Sequence, residues 1–281
     1  MRILKDNKIE KILRCPICGS NVAVPEGKTS LICDGERKHC YDFAASGYLN
    51  LCSPRQSGGG DSKQAVRARS EFLNKGYYRP IAEELVKMSV KHGRTDGILL
   101  DAGCGEGYYS EFLANAGFSV IGADLSKFAV DVASKRFARS KNENALFIAA
   151  SVFEIPVKDT SVSIVTNVFA PCAEEEYSRI LEDNGVLIVV WAGEDHLMGL
   201  KKAVYDTAHT NNERADIPIK MKKVDETRIS YTIDLESNED IRSLFAMTPY
   251  YWRTSVADME KLEALERLTT EVDMIISVYK K

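Results

Sequence analysis

The stretch Ile98-Leu99-Leu100-Asp101-Ala102-Gly103-Cys104-Gly105-Glu106-Gly107-Tyr108-Tyr109 constrains this chain more than any other. An apolar run that ends in an acid and then meets glycine at every second position reads as a buried parallel strand turning sharply into a helix. Glycines 103, 105 and 107 remove every Cβ where a ligand would approach the backbone. Dinucleotide enzymes use such a helix N-terminus for a pyrophosphate. Here the spacing is Asp-x-Gly-x-Gly-x-Gly instead of Gly-x-Gly-x-x-Gly, and a carboxylate, Glu106, lies inside the loop. The two acids Asp101 and Glu106 would repel a pyrophosphate and attract an ammonium group.

The next strand, Ser119-Val120-Ile121-Gly122-Ala123-Asp124, again ends in an acid, placed to accept hydrogen bonds from a ribose diol. A ligand with an ammonium, a ribose and an adenine is S-adenosylmethionine. On these residues the chain resembles the class I methyltransferases, whose first motif has this glycine pattern and whose second strand ends in the ribose-binding acid. The resemblance implies an α/β fold, a doubly wound class I methyltransferase sheet, with Asp101, Gly103, Gly105, Glu106, Gly107 and Asp124 at the cofactor. Helix 107–116, strand 119–124, helix 126–139 and strands 145–151, 161–169 and 185–192 alternate as that fold requires. A strand near 227–235, a helix near 237–247 and a last strand near 270–279 follow. Ser151 ends its strand where the superfamily commonly has an acid contacting adenine, and a hydroxyl there can make one hydrogen bond.

Seven cysteines are an odd number, and Cys15, Cys18, Cys33 and Cys40 fall within the first forty residues. In a cytosolic protein such clustering points to metal more than to disulfides. Cys15-Pro16-Ile17-Cys18-Gly19 is a zinc knuckle, two thiolates close enough to share one tetrahedral ion. Cys33 supplies the second half, with His39 and Cys40 both in range of the fourth position. A small β-rich module of this size cannot stabilise itself by burial, so metal would supply its folding energy.

The segment His39-Cys40-Tyr41-Asp42-Phe43-Ala44-Ala45-Ser46-Gly47-Tyr48-Leu49-Asn50-Leu51 resembles the end of the zinc module in the RlmA family of ribosomal RNA guanine-N1 methyltransferases. That resemblance implies His39 as the fourth ligand, with Cys40 the alternative, because the spacing from Cys33 is longer than in the family and two candidates are adjacent. Gly60-Asp61-Ser62, Ala68-Arg69, Phe72-Leu73, Gly76, Tyr78 and Pro80 continue it outside the generic methyltransferase motifs, as do Ala170-Pro171-Cys172 and Met247-Thr248-Pro249 followed by Trp252-Arg253. It implies cofactor contacts from Tyr78 and His196. Asn167-Val168-Phe169-Ala170-Pro171-Cys172 lacks the Asn/Asp-Pro-Pro-Tyr/Phe motif of enzymes that methylate exocyclic amines of adenine, so such an amine is not the favoured target. No histidine neighbours Cys172 in sequence to activate it as a nucleophile.

At 281 residues the chain is long enough for one large α/β domain and a small module. The divisions expected are a zinc-binding RNA-recognition module at 1–52, a linker and basic helical segment at 53–94 and the methyltransferase domain at 95–281. Ser53–Gly60 reads as a flexible linker, and Asp61-Ser62 can cap a helix running through Arg67 and Arg69 to Gly76. Net charge is −4, yet residues 1–94 hold 17 Lys and Arg against 10 Asp and Glu, while the remainder holds 20 against 31. A basic front on an acidic body suits local phosphate contact. No apolar run reaches the roughly 18 residues of a membrane span and no signal-peptide core is present, so a cytoplasmic protein is expected.

The resemblance implies transfer of the S-adenosylmethionine methyl group to N1 of a guanine in a hairpin loop of 23S rRNA; a homodimer is expected. The alternative is a small-molecule methyltransferase that uses the zinc module to dimerise. Asp61 and Glu106 are candidates for removing the N1 proton, with Glu106 better suited to the cofactor.

Overall fold

The computed structural model describes residues 7–53, 60–211 and 220–281. Most of the expected linker 53–60 and the first residues of the N-terminal extension lie outside them. A short helix α1 (Asn7–Ile12) leads into a three-stranded antiparallel sheet of β1 (Val22–Ala23), β2 (Ser30–Cys33) and β3 (Cys40–Asp42), followed by β4 (Leu49–Asn50). Two helices come next. In α2 (Lys63–Asn74) the Ser62 hydroxyl caps the first turn by accepting from the Ala65 amide at 3.2 Å. In α3 (Arg79–His92) proline occupies the first turn, where its missing N–H has no partner to lose.

The alternation then runs β5 (Ile98–Ala102), α4 (Tyr108–Asn115), β6 (Ser119–Asp124), α5 (Lys127–Ser140), β7 (Ala145–Ala149), β8 (Val162–Val168), α6 (Glu174–Ile180) and β9 (Leu181–Ala192). After α7 (Met198–Val204) come β10 (Lys222–Leu235), α8 (Asn238–Ala246), α9 (Val256–Glu263) and β11 (Leu268–Lys280). Among the described residues the main sheet has the order β10-β11-β9-β8-β5-β6-β7-β4. From β9 to β4 the pairs are parallel, and β11 and β10 are added antiparallel. β5 is buried at all five positions, as a strand covered on both faces must be.

One face of the sheet packs against α2, α3, α4, α5 and α8, through Phe72, Leu85, Leu113, Phe137 and Leu244 among others. The other face is covered by α6 and by the N-terminal module. Ile9, Leu13, Cys15 and Leu31 share one continuous apolar cluster with Leu100, Ile121 and Ile148 of the sheet. β4 also pairs in parallel with β7, Leu49 opposite Ile148, so the segment before residue 52 extends the main sheet. Leu13 bridges Val157, and the Lys158 amide donates to the Ile12 carbonyl at 2.8 Å. The module therefore gains burial against the sheet, where its own sequence had suggested that metal alone would hold it.

Candidate cofactor site and Cys/His cluster

The glycine loop after β5 has the conformation its spacing demands. Gly103, Gly105 and Gly107 have φ of 78°, 54° and 79°, a region that penalises any side chain. A Cβ at Gly103 would lie 2.3 Å from Ala170 Cβ, and one at Gly107 2.9 Å from Ala133 Cβ. The amides of Gly103 and Cys104 donate to the Ala123 carbonyl at 2.8 and 3.1 Å, fastening the turn to β6. Asp124, at the end of β6, accepts from the Gly105 amide through one oxygen at 3.0 Å and from the Ser126 amide through the other at 2.7 Å. Each oxygen keeps a further lone pair. Burial raises this carboxyl above its usual range, although the two amides oppose the shift.

The two acids of the first motif differ in their surroundings. Asp101 accepts from the Ser110 hydroxyl and, at 3.0 Å, from the Thr166 hydroxyl, and burial pushes its carboxyl up to about 6. Both its oxygens are engaged within the chain. Glu106 is 1% exposed, and its Oε2 has no hydrogen-bond partner, with Arg69 Nη1 3.9 Å away. Burial raises this carboxyl too, and Arg69 opposes the rise. A buried carboxylate oxygen left open beside a side-chain-free turn is a site for a cationic donor group. The open Glu106 oxygen, the glycine cradle and the spare acceptor capacity of Asp124 fit the ammonium, backbone approach and ribose of S-adenosylmethionine.

Arg69 lies away from the basic surface that the sequence suggested. It turns inward from α2, ion-pairs with Asp61 and approaches Glu106, so both acids considered for proton removal are tied to one guanidinium. Ser151 lies two residues past the partner of Asp124 in β7, partly exposed, its hydroxyl accepting from the Phe153 amide at 3.2 Å.

Tyr78 and His196 meet although 118 positions separate them. With Phe169 they form a nearly equilateral trio of rings, the centroids 6.3 Å (Tyr78–His196), 6.4 Å (Tyr78–Phe169) and 6.5 Å (Phe169–His196) apart. His196 Nδ1 accepts from the Asp273 amide at 3.4 Å, which leaves Nε2 as the N–H donor. Burial drives the His196 pKa down to about 3, so the ring is neutral. Phe169 was not singled out by its residue type. It has φ 54°, a left-handed conformation that costs a non-glycine residue about 1–2 kcal/mol, and is 47% exposed. Nothing in the sequence signals a positive φ at a phenylalanine.

The rest of that turn is structural. Asn167, 1% exposed, donates to the Pro171 carbonyl at 3.1 Å and to the Tyr177 hydroxyl at 2.9 Å. Burial lifts the Cys172 thiol to about 11, so at neutral pH it is not a nucleophile.

In the N-terminal module the candidate ligand atoms of Cys15, Cys18, Cys33 and His39 all lie within 4.8 Å of one another. His39 Nδ1 is 3.5 Å from the sulfurs of both Cys15 and Cys33, and the sulfurs of Cys18 and Cys33 are 3.8 Å apart. A tetrahedral zinc with Zn–S of about 2.3 Å and Zn–N of about 2.0 Å has edges of about 3.8 and 3.5 Å. The donor set and its spacing therefore fit zinc. Gly19, at φ 72°, closes the knuckle by donating to the Cys15 carbonyl at 2.8 Å. The Ser20 hydroxyl pulls the Cys18 thiol down to about 6. Cys40 is exposed on β3 and is not one of the cluster.

Residues 99–185 match the family model described as a methyltransferase domain. Among solved structures, the YcgJ protein of Bacillus subtilis superposes with a TM-score of 0.50 over 71% of this chain and 98% of that one, at 15% identity. A structure from Anaeromyxobacter dehalogenans assigned to the type II methyltransferases gives 0.51 over 70% and 95%, at 16%. The glycine loop and strand order define a class I S-adenosylmethionine-dependent methyltransferase. A Bacillus subtilis protein assigned to the 23S rRNA (guanine-N1) methyltransferases is 29% identical over 95% of this chain and 97% of its own. The 23S rRNA (guanine(748)-N1) methyltransferase of Streptomyces fradiae is 31% identical over 70% and 69%. The chain belongs to the family of 23S rRNA (guanine-N1) methyltransferases. No described helix is long and apolar enough to cross a membrane.

Proposed function

We propose that this chain transfers the methyl group of S-adenosylmethionine to N1 of a guanine in a hairpin loop of 23S rRNA, as a cytoplasmic homodimer. The observation that carries the reading is the extent of the likeness. A relative assigned to that reaction aligns over 95% of the chain, far beyond the domain match at 99–185.

S-adenosylmethionine supplies an activated methyl group on a sulfonium. Asp124 would accept from the ribose hydroxyls, the open oxygen of Glu106 would take the ammonium, and Gly103, Gly105 and Gly107 would let the backbone approach closely. Asp101 stiffens the loop from beneath through Ser110 and Thr166, Ser151 offers its hydroxyl to the adenine, and Tyr78 and His196 close the site. Transfer to nitrogen would be an in-line displacement in which the N1–C bond forms as the S–C bond breaks, S-adenosylhomocysteine leaves and the N1 proton passes to solvent water; its main demand is alignment, which these residues would meet by holding one geometry. His196 is neutral and presents Nε2–H, so it serves as a hydrogen-bond donor and not as a base.

Single-stranded loops are the RNA elements whose bases can be splayed into a pocket. Lys63 and Arg67, exposed on α2 and stacked 5.8 and 5.9 Å from the Phe128 ring centroid, supply phosphate contacts. Cys15, Cys18, Cys33 and His39 would hold a structural zinc. The small-molecule alternative used this module for dimerisation, but the apolar residues Leu13 and Leu31 are already buried against the sheet of the same chain.

The test is incubation of the purified chain with S-adenosylmethionine and unmethylated large-subunit rRNA. Methylation at N1 blocks the Watson–Crick edge, so primer extension stops beside the modified guanine. No stop and no methyl incorporation, with a small metabolite methylated instead, would overturn the reading.

A further inference from the structure

Phe169 is a large apolar ring left 47% exposed, in a left-handed backbone conformation, at the carboxyl end of a strand buried at all seven positions. Strain of this kind persists only where the surroundings impose it, and it concentrates at functional sites. Here the surroundings are the cofactor loop, because Ala170, the next residue, lies where a Cβ on Gly103 would clash at 2.3 Å.

The orientation of the ring is also set. Tyr78 lies 6.4 Å away at 50°, and the His196 ring is parallel to within 9°, so a flat molecule laid on Phe169 is parallel to His196 as well. The strand order separates this ring from the nucleoside end of the cofactor. Asp124 ends β6 and Ser151 follows β7 on one side of β5, whereas Phe169 follows β8 on the other.

We propose that Phe169 is the stacking surface for the purine ring of the target nucleotide, aligning its acceptor nitrogen across the glycine loop. The proposal rests on the RNA reading above. It adds a positioning residue and a substrate feature, an unstacked purine presented face-on. Aromatic rings suit this task because every base offers a π face.

The test uses the full chain, unmethylated large-subunit rRNA and labelled S-adenosylmethionine, with Phe169→Leu and Phe169→Tyr. The ring is 47% exposed, and circular dichroism with thermal unfolding checks that each variant is folded, independently of cofactor binding measured by calorimetry. Phe169→Leu is expected to lower kcat/KM for RNA by roughly tenfold to a hundredfold, the scale of one lost base–aromatic stack. Its affinity for S-adenosylmethionine should stay within about twofold, and Phe169→Tyr should restore most of the rate, since the π face is what matters. Full activity of Phe169→Leu would overturn the proposal, and so would a parallel loss of cofactor affinity, which would assign the ring to the cofactor. If the wild-type chain methylates no RNA, the functional reading itself fails, and this proposal with it.

Discussion

Arg228 on β10 holds both carboxylate oxygens of Asp273 on the neighbouring strand β11, Nε to one and Nη2 to the other, each at 2.7 Å. Asp273 in turn fixes the turn that carries His196. Its carbonyl accepts from the Gly193 amide at 2.8 Å, its Oδ2 from the Asp195 amide at 3.1 Å, and its own amide donates to His196 Nδ1. A Cβ on Gly193 would sit 2.2 Å from that carboxylate, so only glycine allows the approach. A bidentate pair thus orients the His196 ring, which packs beside Tyr78 and Phe169.

Replacing Arg228 by Leu should therefore leave a buried carboxylate with one backbone donor and loosen His196. The guanidinium is half exposed, which discounts the ion pair, so a loss on the order of 1–2 kcal/mol is expected. Arg228 holds the Asp273 carboxyl below its usual range, so the stabilisation is present above the unfolded value and fades as pH falls below it. Urea denaturation should separate wild type from variant at pH 7 and by a smaller margin near pH 3. An equal gap at both pH values would remove the carboxylate from the account.

Asp124→Asn should weaken S-adenosylmethionine binding more than the loss of one charge would suggest. Asp124 accepts from two amides, Gly105 and Ser126, one through each oxygen. A carboxamide has a single acceptor oxygen, so its NH2 would face one of those N–H donors. The glycine loop and the ribose acceptor are lost together, and calorimetry should show affinity reduced by about 1–3 kcal/mol. Unchanged affinity would show that the ribose lies elsewhere.

Asp101 offers a pH test with the opposite sign. Burial raises its carboxyl to about 6, so ionising it in the folded state is unfavourable. Its destabilisation is full above pH 6 and disappears as pH falls through 6 towards the unfolded value near 4. Asp101→Asn should raise the thermal midpoint at pH 8 and lose that advantage near pH 4. A variant less stable at pH 8 would mean that the bonds from Ser110 and Thr166 outweigh the desolvation.

The main sheet was legible because its strands carry strong periodic or fully apolar patterns. Strand 119–124 falls where its residues predict, and the ends of 161–169 and 185–192 shift by a few positions. The role of β4 was not legible, since a two-residue strand has no period to detect and its partner is 99 positions away. The divisions at 52 and 94 follow composition, whereas packing follows the sheet, one apolar cluster joining Leu13 and Leu49 to one face and another joining Phe72 and Leu85 to the opposite face. At the site, glycines and strand-end acids announce themselves by residue type. Arg69 does not, because an arginine on an amphipathic helix reads as solvated until Asp61 and Glu106 are seen beside it. Arg228 and Asp273 are equally silent, being two charges 45 positions apart in alternating strands.

The three cations of α2 give the last prediction, because they have separate fates. Lys63 and Arg67 are exposed beside Phe128 and, among the described residues, face no acidic partner at ion-pair distance. Arg69 is committed to Asp61 and Glu106. If α2 grips the RNA backbone, each phosphate contact releases counterions and adds about 0.7–0.9 to the slope of log affinity against log salt. Filter binding of a large-subunit rRNA fragment at several salt concentrations should show that slope fall by about one such step for Lys63→Ala and for Arg67→Ala. Calorimetry should find their S-adenosylmethionine affinity unchanged. Arg69→Ala should do the reverse, keeping the salt slope while weakening the cofactor, because Glu106 then loses the stronger of its two opposing charges, Arg136 alone remaining, and shifts further towards its protonated form. A slope that responds to Arg69 alone would place the RNA path over the cofactor loop instead of along the exposed face of α2.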